Sequence, residues 1–247
     1  MKAQEILQSV VPRSVRKVLR RSNGSGYAED GLETTRITDF LFTGKFAAAY
    51  EVGKATNSWG QGDLRWRVFV ACWAAQHASL LAGDFVECGV NRGGMARAVM
   101  EYVNFATLDK NFYLLDTFFG IPDNMKHRSA PIAFEYSECF EDVKKTFQQF
   151  FNVKLVRGTV PDTLREVASN RIAYLSIDMN CAEPEIAAAE FFWDKISDGG
   201  VVVLDDYCYS EHYRLQNQAF NDFAKARNVE ILALPTGQGL IFKSHGH

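Results

Sequence analysis

A chain of 247 residues, 47% apolar and 23% charged, is long enough for one large α/β domain or one domain with an added arm. A formal charge of −3 supplies no basic face for nucleic acid. Five scattered cysteines (Cys72, Cys88, Cys139, Cys181, Cys208) contain no CxxC pair, which excludes a disulfide framework and zinc spacing; buried thiols in a reducing compartment are expected.

Residues 1–35 stand apart from the rest. Arg13, Arg16, Lys17, Arg20 and Arg21 mix with Val10, Val11, Val15, Val18 and Leu19, and Ser22-Asn23-Gly24-Ser25-Gly26 follows. This pattern predicts a basic amphipathic arm and a linker, the arm either packing on protein or making peripheral contact with a membrane surface. Residues 36–247 are expected to form the main domain. No run approaches the ~20 apolar residues of a membrane span, and no apolar signal core is present, so a cytoplasmic protein is expected.

The apolar stretch Asp63–Leu81 predicts a buried helix. Short apolar runs then alternate with helical segments. Strands are expected at Asp84–Cys88, Phe112–Asp116, Val153–Arg157, Ile172–Asp178, Val201–Asp205, Glu230–Leu234 and Leu240–Lys243. Helices are expected at Met95–Asn104, Glu141–Phe151, Thr163–Ala168, Pro184–Ile196 and Tyr213–Ala226. Alternation at this spacing indicates an α/β fold with a doubly wound, mostly parallel seven-stranded sheet and an antiparallel pair at its edge.

The segment Gly83-Asp84-Phe85-Val86-Glu87-Cys88-Gly89-Val90-Asn91-Arg92-Gly93-Gly94-Met95 places a glycine-rich turn between a strand and a helix. In doubly wound sheets, ligands bind at such strand ends. The spacing is not the dinucleotide GxGxxG, and Glu87, two residues before the first glycine, would repel a pyrophosphate. An acid there suits a ligand with an ammonium group, such as S-adenosylmethionine (SAM). A second strand closes on Asp116, whose carboxylate can accept hydrogen bonds from ribose hydroxyls or cap the next turn. A nicotinamide-dependent oxidoreductase is the rival that Glu87 opposes.

These strings resemble the macrocin O-methyltransferase-like group of class I SAM-dependent methyltransferases. The likeness rests on Val86–Gly94, on Leu115-Asp116-Thr117-Phe118-Phe119-Gly120-Ile121-Pro122, on Arg157–Leu164, on Ser176-Ile177-Asp178 and on Gly199–Tyr207. It implies a Rossmann-like sheet, an O-methyltransferase and SAM over the first two strand ends. Glu87 and Gly89 would line the methionine portion with Asn91, Arg92 and Gly93 of the same turn. Asp116 and Thr117 would meet the ribose, and Gly158, Thr159 and Val160 the adenine side, with Asp178 closing the cofactor site. Members similar to this chain methylate sugar hydroxyls of natural products with a divalent metal. The resemblance also implies a homo-oligomer.

Asp178, Asp205 and Asp206 close two further strands on the same rim. Three converging carboxylates can hold an oxygen-ligated cation such as Mg²⁺, which would ease deprotonation of an acceptor hydroxyl. Alternatively Asp178 or Asp205 acts as general base, or Asp205 and Asp206 are turn residues only. His212, six residues on, is a further catalytic candidate. His127 sits in a long connection of the kind that covers sites. Trp59, Tyr136, Tyr207 and Tyr209 can form a wall for a sugar or pack in the core. The family pattern after the fourth strand is Asp-Gly-Asp-Leu-Tyr, whereas this chain reads Asp178-Met179-Asn180-Cys181-Ala182. Asn180 keeps one oxygen ligand but loses a charge, and this altered segment keeps a non-catalytic SAM-binding module open; a catechol-type methyltransferase, which places acids at the same two strand ends, is a second alternative.

Overall fold

The computed structural model describes residues 26–123, 125 and 136–244. The basic segment up to residue 25, His127, His245 and His247 lie outside the described residues. In chain order the elements are β1 (Tyr27–Glu29), β2 (Leu32–Thr34), α1 (Gly44–Lys54), α2 (Arg65–Ser79), β3 (Asp84–Cys88), α3 (Gly94–Val103) and β4 (Phe112–Asp116). There follow α4 (Phe140–Phe147), β5 (Val153–Arg157), β6 (Ile172–Ile177), α5 (Ala182–Trp193), β7 (Ile196–Leu204), α6 (Arg214–Ala226), β8 (Leu232–Ala233) and β9 (Gly239–Phe242).

Seven strands form one sheet in the order β5-β4-β3-β6-β7-β9-β8. The strands β5 to β7 pair in parallel, and β9 is antiparallel to both of its neighbours. Parallel strands covered on both faces need continuous apolar runs, and every residue of Ile172–Ile177 is buried. Alternation along each strand splits that apolar content into two cores. Phe85, Leu114, Tyr174 and Val201 pack under α2 and α3, while Val86, Leu115, Leu175 and Val202 pack under α5 and α6. Chain order reverses between β3 and β6, and the crevice opens there.

Two features escape the sequence reading. Residues 27–34 form an antiparallel hairpin that joins the main core. Tyr27 donates its hydroxyl to the Asp63 carbonyl at 3.1 Å and meets Trp66 edge-on, 5.5 Å between ring centroids. The second is α1, which buries Phe46, Ala49, Tyr50 and Gly53, an i, i+3, i+4, i+7 stripe. Gly53 lets it approach α3: a β-carbon there would lie 2.6 Å from the Gly94 carbonyl oxygen.

Other differences are of extent. β7 begins at Ile196 rather than Val201, because Gly199 at φ +75° and Gly200 carry the chain through a register shift against β6. Asp178 and Asp205 fall just past the ends of β6 and β7 rather than within them. The expected helix Thr163–Ala168 is a single 3-10 turn at Leu164–Glu166. Pro184 sits in the first turn of α5, where its missing N–H is tolerated, so that helix opens at Ala182. No described helix is long and apolar enough to cross a membrane. None of the five cysteines is in a disulfide, and burial raises the Cys88 thiol, which argues against a thiolate nucleophile.

Candidate active site

The glycine turn is shaped by close approaches of backbone. Gly89 has φ +90°, and a β-carbon there would sit 1.8 Å from the carbonyl oxygen of Asp178. Gly93, at φ +85°, is the residue before α3, and its β-carbon would strike the Phe147 ring at 2.5 Å. The first glycine joins the ends of β3 and β6; the second seats α3 against α4.

The turn's amides have a partner within the chain. Oδ2 of Asp116 accepts from the N–H groups of Val90 and Asn91 at 2.6 and 2.8 Å. Oδ1 accepts from the Phe118 N–H at 2.6 Å and the Thr117 hydroxyl at 3.3 Å. The Val90 and Asn91 amides of the turn are therefore already held by a carboxylate of the chain itself.

Glu87 is the opposite case. It is 1% exposed, and neither carboxylate oxygen has a hydrogen-bond partner among the described residues. Burial, with the charges of Asp205 and Asp116, holds its carboxyl well above the usual range; the Ala96 amide, without making a hydrogen bond of ordinary geometry, offsets this only in part. An orphaned buried acid costs stability, and Glu87 borders a cavity of about 540 Å³.

That cavity gathers most of the residues singled out in the sequence. On the glycine-turn side stand Glu87, Gly89 and Asn91, followed by Asp116 and Thr117 and by the Gly158–Val160 turn. Opposite them are Asp178, Asp205, Asp206 and, exposed on the rim, His212. Trp59, Tyr136 and Tyr209 also line it. Three residues do not. Arg92 turns its guanidinium to Asp142 and Ser137, Gly93 is buried beneath Phe147, and Tyr207 packs in the second core with its hydroxyl on Asn221 at 2.6 Å. Thr159 borders the cavity but donates its hydroxyl to Asp162 at 2.8 Å.

The acid cluster contains a cation that the sequence reading missed. Arg67 of α2 is 7% exposed and reaches under the strand ends. Its Nη2 binds the Asp205 carboxylate, the Asp205 carbonyl at 3.2 Å and Asp206 Oδ1 at 2.9 Å. The Tyr209 ring lies 4.6 Å from the guanidinium carbon. Gln238, fully buried, donates to Asp205 Oδ1 at 2.8 Å. The available signal was a charged residue inside an apolar helix face, since buried arginines need partners.

One guanidinium does not balance the cluster. Oxygens of Asp178, Asp205 and Asp206 all lie within 4.8 Å of one another. Burial and the charges of Asp205 and Asp206 hold Asp178 well above the usual carboxylate range. Burial also pushes Asp206 up to about 7 even though Arg67 opposes it. Hard oxygen donors with surplus negative charge are the donor set that a divalent cation needs.

Comparison with known proteins agrees with this geometry. The family model described as Macrocin-O-methyltransferase (TylF) matches residues 57–233. Demethyldecarbamoylnovobiocin O-methyltransferase of Streptomyces niveus is 28% identical over 144 residues, covering 51% of this chain and 53% of that protein. The 8-demethyl-8-(2,3-dimethoxy-alpha-L-rhamnosyl)-tetracenomycin-C 4'-O-methyltransferase of Streptomyces olivaceus is 26% identical over 144 residues, covering 51% of this chain and 53% of that protein. The chain thus spans about half the length of the curated relatives it matches. The O-methyltransferase NovP superimposes with a TM-score of 0.63 over 84% of this chain and 98% of its own, at 20% identity, and so shares the fold. With a doubly wound seven-stranded sheet and a family match over residues 57–233, the chain belongs to the macrocin O-methyltransferase family.

Proposed function

We propose that this chain binds SAM across the ends of β3 and β4 and transfers its methyl group to a hydroxyl of a small polar or glycosyl acceptor. The observation that carries the reading is Glu87, a buried carboxylate without a partner beside a cavity large enough for a nucleotide. A ligand ammonium group is the complement such an acid lacks, and its charge would return Glu87 to the ionised form. Family membership supports the same cofactor.

SAM, when bound, supplies a methyl carbon on a sulfonium, open to displacement by an oxygen nucleophile. The chain's residues orient the reactants. Asp116 locks the glycine turn in the shape that borders the cavity, and Gly89 keeps that turn in contact with Asp178. Such positioning is a large part of what a methyl-transfer site contributes.

The acceptor hydroxyl would meet Asp178 and Asp206. A divalent cation such as Mg²⁺ fits Asp178, Asp205 and Asp206 by donor chemistry and charge, and would lower the hydroxyl pKa. Asp205 and Asp206 enter such a set already bonded to Arg67, and Asp205 to Gln238 as well, so Asp178 would be the least encumbered donor. Without a cation, Asp178 would accept the hydroxyl proton. The named acceptors of the relatives, demethyldecarbamoylnovobiocin and a rhamnosyl tetracenomycin, support a natural-product or sugar hydroxyl here.

The test is incubation with methyl-labelled SAM and a panel of glycosides and catechols, read by mass spectrometry. Labelled methyl ether on an acceptor, dependent on Asp178, is the expected result. Bound SAM that is never demethylated across the panel would instead favour a non-catalytic binding module.

A further inference from the structure

Beside the acids, the turn after β6 carries a second polar feature. Asn180, at φ +56°, stands two residues past Asp178. Its amide oxygen accepts from the Tyr213 hydroxyl at 2.9 Å, and its amide nitrogen donates to the Tyr136 hydroxyl oxygen at 3.4 Å. Three separate segments meet in this contact: the turn after β6, the short helix after β7 and the connection after β4. All three side chains line the cavity together with Asp178 and Asp206. Burial and the charges of these two acids raise both phenols, so each remains a hydroxyl at neutral pH.

These bonds fix the polarity of the pair. Oδ1 of Asn180 can only accept, so the Tyr213 proton is spent on it and the Tyr213 oxygen faces a further partner as an acceptor. Nδ2 carries two hydrogens; one points to Tyr136, and the second is a donor. An amide exchanges no proton near neutrality, so Asn180 orients and does not act as a base. A donor and an acceptor side by side match an alcohol oxygen, which does both.

We propose that Asn180 and Tyr213 form a specificity-determining pair that holds a second hydroxyl of the acceptor, vicinal to the one presented to Asp178 and Asp206. The acceptor class is then a ring with adjacent hydroxyls, a sugar diol or a catechol, and not a lone alcohol. The proposal rests on the function given above and narrows its acceptor.

The test is calorimetry on the wild-type, Tyr213→Phe and Asn180→Ala chains, each loaded with S-adenosylhomocysteine. Four probes are used: methyl rhamnoside, its 3-deoxy analogue, whose two remaining hydroxyls are not adjacent, catechol and phenol. In the wild type, one probe with adjacent hydroxyls binds about ten- to hundredfold tighter than its partner without them, the loss expected when a buried polar pair is left unmet. Which diol shows the preference separates sugar from catechol. In either variant the ratio falls to within about threefold while S-adenosylhomocysteine affinity holds, a change that a merely structural defect would not produce. Equal binding within both probe pairs, no binding of any probe, or variants that weaken both members of a pair equally would overturn the proposal. Absence of S-adenosylhomocysteine binding would instead sink the proposed function, and the probe ratios on the unloaded chain would still decide the role of the pair.

Discussion

The α-carbon of Gly89 runs so close to Asp178 that a β-carbon would lie 1.8 Å from its carbonyl oxygen. This contact ties the glycine turn of one strand to the acid cluster of the next, across the point where the sheet reverses. Gly89→Ala must both relieve that overlap and hold a left-handed φ of +90°. We expect it to destabilise the chain by at least ~2 kcal/mol, read by chemical denaturation, with SAM binding lost in whatever remains folded.

Glu87 carries the opposite trade. Its carboxyl is buried and unmatched in the unliganded chain, so Glu87→Leu removes a polar group that costs stability. Thermal unfolding of the unliganded variant should occur at the wild-type temperature or above it. SAM affinity should fall by about a hundredfold, since the ammonium loses a charge-assisted partner. A variant that is both less stable and normally able to bind would contradict the role.

Arg67 and Asp205 form a buried pair whose halves depend on each other. Arg67→Met leaves Asp205 and Asp206 without their guanidinium and should cost about 3–5 kcal/mol. Asp205→Asn alone leaves Arg67 with Asp206 and should cost less. The double variant should recover part of the Arg67→Met loss, giving a coupling of at least ~1 kcal/mol in a denaturant double-mutant cycle. Strict additivity would show that the pair contributes nothing as a unit.

Glu185, buried in the first turn of α5, accepts from the Met179 N–H at 3.1 Å. Burial, with Asp206 nearby, pushes its carboxyl from 4.5 up to about 8. A raised pKa means the folded chain holds this proton more tightly than the unfolded one. Its stabilising share is therefore complete below about 4.5 and fades as pH rises towards about 8. Glu185→Gln keeps the Met179 bond and cannot ionise. Its unfolding free energy should vary less than the wild type's between about pH 5 and about pH 9, by up to a few kcal/mol on the scale of one pKa unit per ~1.4 kcal/mol, read by chemical denaturation across that range.

Sequence made the central strands legible because parallel strands must be apolar on both faces; β3 and β4 begin and end where the runs do, and the edge strand β5 keeps its expected bounds although Lys154 and Arg157 are exposed. Glu87, Asp116, Asp178, Asp205 and Asp206 were visible as acids at strand ends, and the fold brings them around one cavity. What the sequence hid are relations between distant segments. Nothing local to Arg67 says that it reaches Asp205, 138 residues away, and nothing near Asn180 names Tyr136 or Tyr213. Arg92 and Gly93 share a motif with Glu87, yet motif membership did not set their direction: one faces Asp142 and the other supports Phe147. The hairpin of residues 27–34 was read as the end of an arm because glycines precede it, whereas its placement depends on Tyr27 finding Asp63 and Trp66.

The most direct measurement is titration calorimetry of SAM and NAD into the wild-type chain, and of SAM into Glu87→Leu. We expect one SAM per chain, no heat from NAD, and affinity reduced about a hundredfold in the variant. Wild-type protein that takes up NAD in preference to SAM, or a variant that binds SAM as tightly as its parent, would contradict the assignment of this crevice.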